Sequence, residues 1–133
     1  MKGLLPLLSA GVLLALSACG RKTDAKAQIS ELRKVFETAQ PPVQTDRPAS
    51  DHAWLAEANA YVSLALSAVR TNDYAGGVIA LQAVQRMPGI TSQQLMAVQG
   101  AMQAVTAELL VRASKGDAKA RSDLAAIERT RSQ

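Results

Sequence analysis

The chain has 133 residues and a formal charge of +4, which limits it to one ordinary domain and gives too mild a basic excess for a nucleic-acid binder. Its aromatic side chains are Phe36, Trp54, Tyr61 and Tyr74, too few for stacking on bases or sugars. Cys19 is the only cysteine and His52 the only histidine, so an intrachain disulfide is excluded, a Cys/His zinc site lacks its ligands, and no metal or other cofactor is expected.

Lys2 is followed by an uncharged run from Gly3 to Gly20, which ends at Arg21. A basic start, an apolar middle and a small-residue end make the layout of an export signal. The run is 18 residues long, at the lower edge of a bilayer span, and Pro6, Ser9, Gly11 and Ser17 lower its apolar content, so a permanent transmembrane helix is the lesser alternative. The ending Leu16-Ser17-Ala18-Cys19 closely resembles the lipobox of bacterial lipoproteins. That resemblance implies cleavage before Cys19, a diacylglyceryl group on its thiol and an acylated amine. Two or three acyl chains hold a protein stably on a bilayer, whereas one binds only reversibly. Gly20 stands where the inner-membrane retention signal of enterobacterial lipoproteins has Asp, so the resemblance implies an outer-membrane protein facing the periplasm. The competing reading is a soluble exported protein cut after Ser17.

Residues 1–18 are therefore assigned to the signal, 19–50 to an anchored segment and linker, and 51–133 to a helical domain. Within the second part, Asp24 to Ala39 reads as an amphipathic helix through Ala25, Ile29, Leu32, Phe36 and Ala39, with Asp24 as its cap. Lys22, Lys26, Arg33 and Lys34 form a solvated face or meet anionic headgroups. The stretch from Gln40 to Ser50 holds three of the five prolines and reads as an extended tether.

From Ser50 onward the pattern is helical. Trp54, Ala58, Tyr61, Ala65 and Ala68, widened by Leu55, Val62, Leu66 and Val69, make a helix apolar on most sides, expected at the centre of a bundle. Thr71-Asn72-Asp73 is a turn, a second helix runs from Tyr74 to Arg86, and Met87-Pro88-Gly89 stops it. Thr91 or Ser92 caps a third helix with the seam Leu95, Val98, Met102, Val105 and Leu109. Gly116-Asp117 divides it from a last helix striped by Ala120, Leu124 and Ile127. The expected fold is all-α, a small bundle of helix hairpins built by 51–131 around Trp54, Tyr61, Leu81 and Met102, independently of 19–50.

Tyr61, Leu64 and Ala65, the turn Asn72-Asp73-Tyr74, then Gly77, Leu81 and Pro88 resemble one 34-residue tetratricopeptide unit, with Ala68 in place of an aromatic. The resemblance implies helix-hairpin geometry and a peptide-binding role.

Catalytic chemistry has no constellation to stand on. Asp117 and Asp123 read as a solvated helix surface rather than a glycosidase pair, His52 lacks a partner, and Gly76-Gly77 is not a phosphate loop. Residues 73–107 carry only Asp73 and Arg86 as charges, and glutamines supply their polarity. Gln82, Gln85, Gln99 and Gln103, absent from the apolar stripes, are expected to be exposed and to form a neutral partner-binding surface. Leu109 to Gln133 adds six basic and three acidic side chains, a basic tail that a solvated helix also explains. The expected function is a non-catalytic, lipid-anchored envelope adaptor for a protein partner. The alternative is a structural lipoprotein that self-associates through Leu95 to Leu109.

Overall fold

A computed structural model describes residues 24–38 and 53–133. The expected signal 1–18, Cys19, His52 and the proline-rich stretch from Gln40 to Ser50 lie outside the described residues. All regular structure among the described residues is helical: α1 (Ala25–Thr38), α2 (Ala53–Arg70), α3 (Tyr74–Gln85), α4 (Ser92–Ser114) and α5 (Ala118–Arg131). The protein is a small all-α bundle.

Local chemistry sets the helix ends. The Lys26 N–H donates to the Asp24 carboxylate at 3.0 Å, as expected of a cap. Asp73 caps α3 by accepting from the Gly76 N–H, Asp117 caps α5 through the Ala120 N–H, and Thr91 and Gln94 form a reciprocal capping box at the start of α4. Asn72, at φ +67°, makes the turn between α2 and α3 in the left-handed region that asparagine tolerates. The two helices then cross closely at Gly77, where a Cβ would stand 2.8 Å from Val69 Cγ2.

The central helix is α3, not α2. Tyr74, Ala75, Gly77, Val78, Ala80, Leu81, Gln82 and Val84 are all buried, and α3 packs on α2, α4 and α5. By contrast α2 touches only α1 and α3, and its Leu64 faces solvent. Alanine-rich sequence misled here: small side chains keep a helix apolar without requiring neighbours on every side.

A larger correction concerns α1. It packs on both α2 and α4, which make no contact with each other, so it fills the space between the two hairpins. Its Ala25, Ile29, Leu32 and Phe36 are buried at successive steps of four, three and four. Phe36, Ile29 and Leu32 rank with Leu81 and Leu109 as the largest fully buried side chains. The segment expected to stand apart from the domain thus supplies much of its core. Of the four residues expected to centre that core, Leu81 is fully buried, while Trp54, Tyr61 and Met102 are only partly so. Trp54 lies against the backbone of Gly89, which takes φ +88° in the loop between α3 and α4.

The tetratricopeptide-like pattern yields the α2–α3 hairpin, with Ala65, Gly77 and Leu81 buried, but Leu64 points outward. Stacked repeats cover one unit's face with the next unit. Here α1, rather than α4, covers α2.

Candidate functional site

A cleft of about 360 Å³ opens where α3, α4 and α5 meet. Gln82, Gln85 and Arg86 reach it from the end of α3, Gln99, Met102 and Gln103 from the middle of α4, and Arg131 from the end of α5. Both groups of three follow spacing i, i+3, i+4, which puts each on one helix face. The fold therefore brings together all four glutamines singled out from sequence. Gln99 and Gln103 are exposed, Gln85 is half-buried, and Gln82 is buried at 8% exposure, contrary to expectation. Gln82 follows Leu81 on the central helix, where α4 and α5 cover positions that a two-helix hairpin would leave open.

Two cleft residues, Arg86 and Arg131, are not among those singled out from sequence. Arg86 is one turn beyond Gln82 and shares its face, a spacing visible in the sequence. Arg131 lies 45 positions farther along and reaches the cleft only because α5 packs back on α3. Met102, expected in the core seam, is half-buried and lines the cleft instead.

A second polar cluster sits elsewhere on the bundle. The Tyr74 hydroxyl donates to Glu108 Oε1 at 2.6 Å, and the Ala25 N–H at the start of α1 donates to Glu108 Oε2 at 3.3 Å. Arg112 lies over the Tyr74 ring at 5.0 Å, donates to Asn72 Oδ1 at 2.7 Å and pairs with Asp117 at 2.8 Å. Burial pushes the Tyr74 phenol above its ordinary pKa, and the Glu108 carboxylate adds to the effect. The Ala120 N–H holds Asp117 below the usual carboxylate range; desolvation opposes it, and Arg112 adds to the lowering. Every member of this cluster has a partner, so its chemistry is that of a clasp joining α1, the α2–α3 turn, α4 and α5.

The acidic side chains Asp117 and Asp123 serve separate local roles. Asp117 caps α5 and binds Arg112, while Asp123 pairs with Lys119 at 2.8 Å. Among the described residues no group of three His, Cys, Asp or Glu side chains is placed to hold a metal ion. No described helix is long and apolar enough to cross a membrane.

The seam Leu95, Val98, Met102, Val105 and Leu109 is spent inside the molecule. Val98, Val105 and Leu109 are fully buried in the core. Self-association through this seam, as the structural alternative required, would need the bundle to open.

No protein-family model, curated protein or solved structure matches this chain, so its candidate site rests on the geometry of the cleft itself.

Proposed function

We propose that the protein is a non-catalytic adaptor, lipid-anchored at Cys19 in a bacterial envelope, whose helical bundle offers the glutamine cleft to a protein partner. The observation that carries this reading is the convergence of Gln82, Gln85, Gln99 and Gln103, from two helices, on one open cleft. Amide side chains both donate and accept hydrogen bonds, which suits recognition rather than proton transfer or nucleophilic attack. The anchor rests on the lipobox-like Leu16-Ser17-Ala18-Cys19, and Gly20 favours the periplasmic face of the outer membrane.

Two experiments test the two halves. Metabolic labelling with an alkyne fatty acid should tag the protein and not Cys19→Ala, and fractionation should find the variant released from membranes. A photo-crosslinking residue in place of Gln99 or Gln103 should capture another envelope protein in cells, whereas one in place of Arg121, exposed on α5, should not. Crosslinks only between copies of this chain would favour the structural reading, which would then use the exposed Met96, Leu110 and Val111 of α4.

A further inference from the structure

The cleft has a chemical bias that its glutamines alone do not disclose. Its lining holds two guanidinium groups, four neutral amides and one thioether, and no carboxylate. Residues 74–107, which form α3 and most of α4, contain no Asp or Glu. Neither Arg86 nor Arg131 forms an ion pair with another described residue; Glu128, one turn before Arg131, is exposed and is not paired with it. A cation at the end of α3 or α5 also complements the carbonyls there. That role, however, requires neither a shared cleft nor a floor of amides.

Building on the adaptor reading, we propose that the cleft receives an extended acidic segment of the partner protein. Its carboxylates would meet Arg86 and Arg131, and its backbone would meet Gln85, Gln99 and Gln103. Guanidinium groups favour carboxylates through forked, charge-assisted hydrogen bonds. The amides choose between anionic classes. A peptide backbone presents both donors and acceptors to glutamine, whereas a phosphate polymer or lipid phosphate presents acceptors and uses half of the amide's capacity. The volume, about 360 Å³, is at the small end of ligand clefts and fits a few extended residues rather than a folded surface.

The test uses the full chain extracted from membranes in neutral detergent, with a fluorescein-labelled ten-residue peptide of alternating Glu and Ser followed by anisotropy. Affinity should fall about threefold for Arg86→Gln or Arg131→Gln and about tenfold for both, and Arg86→Lys should retain more binding than Arg86→Gln. Gln99→Ala with Gln103→Ala should weaken it as well, and a peptide with Gln for Glu should not bind. Arg121→Gln with Arg129→Gln, outside the cleft, should leave affinity unchanged. Equal loss from that control pair, full binding by the Arg86→Gln, Arg131→Gln protein, or displacement by polyphosphate as readily as by unlabelled peptide would each overturn the proposal. Crosslinking from Gln103 in cells separates it from the adaptor reading. A partner captured equally with and without the two arginines overturns the acidic segment and leaves the adaptor standing; absence of any captured partner removes both.

Discussion

Tyr74 and Glu108, 34 positions apart, share a hydrogen bond of 2.6 Å that ties the first residue of α3 to the last third of α4. The other oxygen of the same carboxylate receives the Ala25 N–H, at a residue with no exposed surface, so one side chain fixes three helices. Tyr74→Phe should cost about 1–2 kcal/mol, and Glu108→Ala about 2–4 kcal/mol because it also leaves a buried amide unmet. Urea denaturation of the two variants checks the order. A neutral Glu108→Ala would show that α1 is held by its apolar face alone.

The same cluster gives stability a sign at each end of the pH scale. The Tyr74 pKa is raised in the fold, so its contribution is complete below the unfolded value, about 10, and is lost as pH rises through the folded value. The Asp117 pKa is lowered, so its contribution is present above the unfolded value, about 4, and is lost as pH falls through the folded one. Denaturation midpoints measured against pH should decline on both flanks. Tyr74→Phe should flatten the alkaline flank and Asp117→Asn the acid flank, each leaving the other unchanged.

Core substitutions should rank by α1 rather than by the lone tryptophan. Phe36→Ala is expected to cost about 3–5 kcal/mol, and the half-buried Trp54 distinctly less on truncation to alanine. A chain reduced to 51–133 should lose cooperative unfolding, since α2 and α4 lose the helix that packs between them and its buried Ile29, Leu32 and Phe36. A sharp thermal transition in that fragment would refute this.

The four glutamines should divide in their effect on stability. Gln99→Glu and Gln103→Glu, both at exposed positions, should move the melting temperature little. Gln82→Ala removes a buried stem and should cost about 1 kcal/mol. Calorimetry of the three single variants provides the comparison, and equal shifts would contradict the packing of α3 described above.

Helix positions, their caps and the all-α class were legible because each depends on residues within one or two turns. Asp24, Thr91 and Asp117 announce their helices locally, Asp73 shows only as part of a turn, and the stripe Ile29, Leu32, Phe36 marks a face to be buried. What covers that face is a tertiary matter. A stripe beside a membrane signal suits a bilayer surface as well as a bundle, and nothing in residues 24–39 distinguishes the two. The cleft was half legible for a similar reason: Gln82, Gln85, Gln99 and Gln103 stood out as amides off the apolar stripes, but Arg131 joins them only through the return of α5. The burial of Gln82 escaped notice because three neighbours cover α3 where the pattern suggested fewer.

If Cys19 carries the proposed lipid, the docking of α1 also limits how far the bundle can stray from a bilayer. The residues from Thr38 to Ala53 join two helices of one body, so their length adds nothing to the distance between anchor and cleft. With the proposed lipid on Cys19, the leash is the six steps to Ala25, at most about 20 Å when fully stretched. A protein so anchored would not reach across the periplasm for its partner. Ala25 neighbours the start of α3 through Glu108, whereas the cleft lies at the other end of that helix. The cleft would therefore stand within one α3 length, ~18 Å, beyond the reach of the leash, and a partner segment would have to meet it close to the membrane.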